Sequence, residues 1–196
     1  MARDLGTRTA EVHKEAIEKQ AEEVLHFWFV ETPAAKRFAK DDALDAEIAA
    51  RFGSLIDEIA GCHAAIWRAQ PRTLLAAILV LDQFSRNTRR GRADAFANDP
   101  LARALTNEAI CKGWDEGFSA EELQFLYMPL MHCERLDEQL RSLDLFDDVT
   151  EESATYARLH CEQIARFGRF PGRNDALGRK STVAETDLLK APGAGF

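Results

Sequence analysis

The sequence predicts an all-α fold, a compact array of about seven to nine helices arranged in antiparallel pairs. Good helix formers dominate the composition, apolar residues recur at spacings of three and four, and no stretch alternates as a strand would. Glycine and proline number only 11 and 6 and form no linker. We therefore expect a single domain over 1–196, with an ordered core at about 19–190 and a frayed tail at 191–196.

The first firm helix is predicted at 19–30, where apolar and aromatic residues cluster. A second helix is marked by apolar residues over 44–59, with Asp42 placed to cap its start and Gly61 to end it. The spacing of this second set is that of a helix burying one face.

The middle of the chain predicts the core of the array. Pro71 suits a first helical turn, and 73–84 is apolar nearly all round, which is typical of a helix buried on every side. The next helix is expected to start at Asp99-Pro100, reach residue 112 and stop at Gly113.

Capping residues also place the later helices. Capping-box patterns occur at 119–122 and 182–185, Thr150 is placed to cap a helix over 150–167, and Gly168 follows its end. Pro129 is expected to start or kink a helix. The inward stripe predicted after Pro129 consists of Leu136, Leu140 and Leu143.

The overall charge limits the partners that the chain is expected to bind. A net charge of −8 argues against sequence-independent binding of nucleic acid or anionic lipid. The longest apolar run, 74–81, is far shorter than the ~20 residues that span a bilayer, and the first residues lack the apolar core of a signal peptide. We therefore expect a cytoplasmic protein without nucleic-acid or membrane partners. Its four cysteines are read as buried free thiols: Cys62, Cys111, Cys133 and Cys161.

Two basic segments interrupt the acidic background. The segment 82–92 has four arginines and one acid, a sum of +3, and 166–180 sums to +4. Each contains an aromatic residue followed by Arg-Asn, at Arg86-Asn87 and Arg173-Asn174. Because guanidinium groups present a planar fork suited to carboxylate or phosphate, the two segments together predict an anion pocket. The alternative is structural, with the arginines tying helix ends to carbonyls and carboxylates.

These motifs define the candidate site. His132 and Glu134 are candidates for acid–base chemistry, because histidine titrates near neutral pH; the alternative is a histidine bonded within the helix packing. The candidate ligand-binding residues are Asp82, Gln83, Arg86, Asn87, Tyr127, Arg166, Arg169, Arg173 and Asn174.

Metal and cofactor motifs are not found. Three cysteines adjoin a histidine, and the triplet His-Cys-Glu occurs twice, at 132–134 and 160–162. Adjacent residues on a helix point about 100° apart, so neither pair forms a half-site by itself. Without HExxH, paired CxxC, GxSxG, Walker A or GxGxxG patterns, we expect no metal, no cofactor and no recognised nucleophile.

The motifs HFWF, LDQFSRN, YMPLMHCE, RFGRFPGRN and LGRKST, in this order, resemble the bacterial family called domain of unknown function 924, from about Glu22 to Leu189. The resemblance implies a fold of the tetratricopeptide-like helical superfamily and supplies no established reaction. The chain departs from the family pattern at Ser85, Cys133 and Gly172, where proline, serine and histidine are usual. Gly172 weakens any catalytic role for the second basic segment.

Two functions follow as hypotheses. The preferred one is a pocket for a small anionic ligand that bears phosphate or carboxylate, with chemistry, if any, at His132 and Glu134. The alternative is a tetratricopeptide-like scaffold that binds a protein or peptide partner, in which the Arg-Asn motifs are structural.

Overall fold

The protein is seen in a computed structural model that describes residues 2–191, with side chains described for all of these except 2–10 and 62–64. No strand occurs in the described part, so the predicted all-α array is confirmed. Single-domain organisation and tetratricopeptide-like pairing stay predictions. The prediction made for the side chains of Cys62 and His63, and that made for the tail at 192–196, lie outside the described part. The α-helices are α1 (Ala2–His26), α2 (Ala34–Arg37), α3 (Asp42–Glu58), α4 (Ala64–Trp67), α5 (Pro71–Leu79), α6 (Ser85–Thr88), α7 (Asp99–Cys111), α8 (Ala120–Met131), α9 (Leu136–Phe146), α10 (Glu151–Phe167) and α11 (Val183–Leu188).

Helix α5 lies at the centre of the array, as predicted. Each residue of 73–84 is at most 8% exposed, and helices α1, α7 and α8 pack against α5. A π-helical turn, Val80–Phe84, joins α5 directly to α6, with the Ser85 N–H donating to the Val80 carbonyl. The apolar core helix therefore carries Asp82 and Gln83 into the interior and places the first Arg-Asn pair just beyond them.

Aromatic rings fix this end of the core helix. The Phe84 ring lies 5.1 Å from that of Phe52 and 5.5 Å from that of Trp28, and the Trp28 ring is 5.5 Å from Phe125. Both contacts of Trp28 are edge-to-face, and the Phe52 ring is tilted by 32° to that of Phe84; aromatic pairs of this kind add to the free energy of burial. The backbone around Asp82 is thus held by rings from α3, α8 and the π-helical turn that follows α1.

Most predicted caps are confirmed. Both capping boxes form, at 119–122 and 182–185; the Thr150 side chain accepts from Ser153 N, and Gly168 ends α10 at φ 68°. Asp42 was the wrong cap by one residue. It lies in the first turn of α3, while Asp41 has extended backbone and accepts from the next free N–H groups at 3.0 Å.

Pro129 does not start a helix, and two of the three leucines predicted to face inward after it are exposed. Pro129 lies inside α8, which continues to Met131, and Leu136 and Leu140 are 45% and 52% exposed. The buried side of α9 is set instead by a polar residue, because the Gln139 amide donates to two carbonyls at the end of α8 at 2.6 and 2.7 Å.

Three other features differ from or add to the expectations. Helix α1 begins at Ala2 rather than near residue 19, since the residues before 19 are also largely helix formers. Cys111 is exposed, whereas Cys133 and Cys161 are buried as predicted. Within the described part, none of the helices is long and apolar enough to cross a membrane.

Candidate functional site

A cavity of about 480 Å³ lies where α6, α8 and α10 approach the end of the core helix. Both Arg-Asn segments reach it, although they are far apart in the sequence. The remaining wall is largely apolar and aromatic, from side chains such as Phe96, Met128 and Phe146. Five of the predicted site residues line the cavity: Gln83, Arg86, Asn87, His132 and Arg173.

Asp99, at the first position of α7, joins the two basic segments. Its two carboxylate oxygens accept from Arg86 Nη1 and Nη2, both at 3.0 Å, and Oδ2 also accepts from Arg173 Nη1 at 3.2 Å. Two guanidinium groups thereby share one carboxylate, which fixes their separation and orientation. Sequence reasoning did not select Asp99, whose only visible signal was its place before Pro100 at a helix start.

Asp82 and His132 form a buried pair at the base of the cavity. His132 Nδ1 lies 2.8 Å from Asp82 Oδ1, which also forms an ion pair with Arg86 Nη1 at 2.9 Å. Burial raises the pKa of Asp82, but the nearby Arg86 and His132 outweigh it and hold that pKa well below its usual range. Asp82 is therefore an ionised acceptor.

The protonation of His132 follows from these contacts. Burial lowers the pKa of His132, and repulsion by Arg86 and Arg173 adds to this effect, while Asp82 opposes it. His132 is therefore neutral near pH 7. Because Asp82 can only accept, we assign the imidazole proton to Nδ1, which leaves the lone pair on Nε2.

Arg173 is enclosed at the side of the cavity. Its side chain is 5% exposed, and its guanidinium lies between the rings of Phe96 and Phe170, at 4.7 and 4.5 Å from their centroids. Nη2 donates to the His132 carbonyl at 2.9 Å, and the enclosed Nε has no acceptor. Burial lowers the pKa of Arg173 to about 10, so the side chain stays cationic at neutral pH.

A second histidine lies beside His132. The ring centroids of His160 and His132 are 5.9 Å apart, and His160 Nδ1 donates to the Tyr156 carbonyl at 2.8 Å. Burial lowers the pKa of His160 to about 3, so this ring too is neutral. The two histidines belong to the repeated His-Cys-Glu triplets, a signal that the sequence contained but that did not reveal their proximity.

The arginines of the cavity are all paired with carboxylates. Besides Arg86 and Arg173, Arg37 binds Glu121, and Arg90 donates to both oxygens of Asp45 at 2.9 Å. Asn87 adds a bond of 2.7 Å to the same Asp45 carboxylate. The inner charges of Arg86 and Arg173 are balanced by Asp82 and Asp99, so the basic segments also fasten helices to one another.

The other predicted site residues lie away from the cavity lining. Tyr127 donates to Asp115 at 2.8 Å, and burial followed by that carboxylate raises the pKa of its hydroxyl. Arg169 forms a two-bond pair with Glu185 at 2.6 and 2.9 Å. Exposed Arg166 lies over the Phe167 ring, Asn174 donates to Ser181, and Asp82 lies beneath the lining residues.

Glu134 fastens the second basic segment. Its oxygens accept from Arg179 at 2.7 and 2.9 Å and from the Phe170 N–H at 2.8 Å. Burial raises the pKa of Glu134, but Arg179 and the Phe170 N–H lower it further than burial raises it. Both oxygens of Glu134 are occupied, and the carboxylate that contacts His132 is that of Asp82.

Comparison with known proteins places this site in a family. The model of the family described as bacterial protein of unknown function, DUF924, matches residues 24–193. The chain belongs to the DUF924 family. A solved structure of a protein of unknown function from Agrobacterium tumefaciens is similar to the chain, with 36% identity and a TM-score of 0.84, and the match covers 88% of this chain and 98% of that one. Among curated proteins, none matches. The resemblance predicted from the five motifs is thus confirmed.

Proposed function

We propose that this DUF924 chain binds a small anionic ligand in the cavity between Arg86 and Arg173. The convergence of both guanidinium groups with His132 on one cavity is the observation that supports this most. A volume of about 480 Å³ lies within the roughly 300–1,000 Å³ typical of small-molecule sites. An apolar wall with a few convergent polar groups is also the usual composition of such sites.

The arginines keep donors for a ligand even though each has a carboxylate partner. A guanidinium group carries five N–H donors. Arg173 uses Nη1 and Nη2 once each for the protein, so each of these nitrogens keeps a second N–H. Held by Asp99 on one side, Arg173 and Arg86 are already oriented, so a ligand anion would bind without the entropy cost of ordering them.

A helical scaffold for a protein or peptide is the competing proposal, with the Arg-Asn motifs as structural locks. The observation that favours it is the pairing of every arginine in the cavity with a carboxylate. Removal of an arginine would then lower stability without altering any response to anions. A cytoplasmic location is part of both proposals.

The test is a thermal-shift titration with inorganic phosphate and citrate. We expect either anion to raise the melting temperature of the wild-type chain, and the increase to be lost in Arg173→Lys, which keeps the charge but not the planar fork. Arg135→Lys is the matched control, because Arg135 is 61% exposed and pairs with Asp137 away from the cavity. No shift with either anion, or an equal shift in both variants, would favour the structural role.

A further inference from the structure

The part of the cavity between the two arginines presents guanidinium donors beside an imidazole acceptor, and other acceptors such as Glu152 line the cavity elsewhere. His132 Nδ1 is committed to Asp82, and no group among the described residues bonds to Nε2. The His132 side chain is 12% exposed, and it lines the cavity with its lone pair on Nε2. On either side stand guanidinium donors from Arg86 and Arg173. A ligand that fits all of these groups must accept from the arginines and donate to the imidazole.

This pattern separates classes of anion that have similar size and charge. Sulfate esters and carboxylates are fully ionised near neutral pH and can only accept hydrogen bonds. A phosphate monoester has its second pKa near about 6, so its monoanion keeps one O–H donor beside two accepting oxygens. Only the phosphate can donate to a neutral Nε2, while the other anions leave that acceptor unpaired.

We propose that the cavity selects phosphate monoesters over sulfates and carboxylates, with His132 Nε2 accepting a hydrogen bond from the protonated phosphoryl oxygen. This inference rests on the proposed anion-binding function and names its ligand class. Asp82 is the positioning residue: it holds the proton on Nδ1 and so keeps the lone pair of Nε2 toward the ligand.

Burial favours the neutral form of His132, and the charged groups that face the ring act in both directions, with Asp82 raising its pKa and the two arginines lowering it. From the π-helical turn comes Asp82, from α6 Arg86, from α10 the neutral His160, and from the turn Pro171–Arg173 comes Arg173. Asp99 of α7 acts on this group through the two arginines. Burial and the two guanidinium charges lower the pKa of His132, in agreement with an acceptor at Nε2.

The size and lining of the cavity favour an organic ester over free phosphate. Phe38 and Tyr156, which are 60% and 46% exposed, also line the cavity, and free phosphate would leave their apolar surface uncovered. An aromatic or aliphatic group on the phosphate would cover it and gain from its burial. Phenyl phosphate is therefore a suitable probe.

The experiment is calorimetric titration of the wild-type chain at about pH 6 with two matched pairs, phosphate against sulfate and phenyl phosphate against phenyl sulfate. We expect each phosphate to bind at least about tenfold more tightly than its sulfate, the fold-change for one acceptor left unpaired. The preference should shrink by about pH 8, where the monoester has lost its second proton. Phenyl phosphate should bind more tightly than phosphate.

A variant locates the effect at Nε2. His132→Asn keeps an amide donor near Asp82 but has no atom at the Nε2 position, so its affinities for phosphate and sulfate should become equal. Cys133→Ser, next in the chain and outside the lining, should keep the preference.

The outcomes are distinct. Equal binding of phosphate and sulfate by the wild-type chain would overturn the selectivity while anion binding stands, and this comparison needs no variant to fold. A preference retained in His132→Asn would overturn the role of Nε2. Equal affinity for phenyl phosphate and phosphate would overturn the proposed preference for an organic ester and leave free phosphate as the ligand. Binding of none of the four probes would overturn both the inference and the proposed function.

Discussion

Replacing Asp99 by asparagine is expected to destabilise the fold strongly, because Asp99 is the shared partner of two largely buried guanidinium groups. The substitution keeps the size of the side chain and removes its charge. Breaking a buried pair in this way costs about 3–5 kcal/mol. Asp99 and Arg86 are 17% and 19% exposed, so solvent screens part of the interaction and we expect the lower end, about 3 kcal/mol. For a chain of this length that corresponds to a decrease in melting temperature of about 6–12 °C.

Urea denaturation followed by tryptophan fluorescence would measure this effect. Asp137→Asn is the matched control: Asp137 also lies in a first helical turn and pairs with an arginine, but it is 64% exposed, and such pairs contribute about 0–1 kcal/mol. Phosphate should stabilise Asp99→Asn more than the wild-type chain, because the variant leaves two cations uncovered. If the free energies of unfolding of Asp99→Asn and Asp137→Asn differ by less than about 1 kcal/mol, Asp99 does not link the basic segments.

Three further predictions concern stability and pH. Gly168→Ala should lower the free energy of unfolding by about 1 kcal/mol, because Gly168 has φ 68°, whereas Gly53→Ala inside α3, where a Cβ would meet open space, should raise it by about 0.5–1 kcal/mol. Urea denaturation compares the two variants, and a lower stability in both contradicts the prediction. Burial lowers the pKa of His160 to about 3, against about 6.5 in the unfolded chain, so the unfolded chain binds the extra proton and stability should fall as the pH drops from about 6.5 toward 3. In His160→Gln the free energy of unfolding should depend less steeply on pH over this range. An unchanged dependence would assign the effect to other groups. Glu134→Gln should lower the free energy of unfolding by about 1–2 kcal/mol, because it weakens the bonds to Arg179 and the Phe170 N–H. The preference for phosphate over sulfate, measured by the same calorimetry, should be unchanged. Loss of that preference would mean that Glu134 takes part in the site.

The parts of the fold that the sequence predicted are those set by neighbours along the chain. Capping boxes, the glycine after α10 and the all-apolar helix around 73–84 depend on residues a few positions apart, and all were confirmed. The stripe on α9 failed because a single buried amide, Gln139, satisfies the carbonyls that end α8 and turns Leu136 and Leu140 outward.

Only part of the cavity was found from the sequence, because some of its contacts join residues far apart in the chain. Arg86 and Arg173, chosen from the Arg-Asn segments, and His132, chosen as an acid–base candidate, lie on the same cavity. Asp99 was missed because its contacts with Arg86 and Arg173 span 13 and 74 residues, and such pairings leave no local pattern. Glu134 was chosen with His132, two residues before it, but it binds different partners, Arg179 and the Phe170 N–H.

The π-helical turn between α5 and α6 has a consequence for how the site can vary. Each residue of an α-helix advances the direction of its side chains by about 100°, so one residue accommodated in a wider turn rotates everything after it by that angle relative to a regular helix. The apolar residues before Val80 and the cationic residues after Phe84 are therefore set in two different angular frames along one continuous helix. Deleting Leu81, which does not line the cavity, would restore a regular helix and leave every cavity side chain present in the sequence, yet turn Arg86 and Asn87 away from Asp99 and Asp45. In this chain, a single-residue length change in that turn is therefore a more severe alteration of the site than many substitutions of its residues.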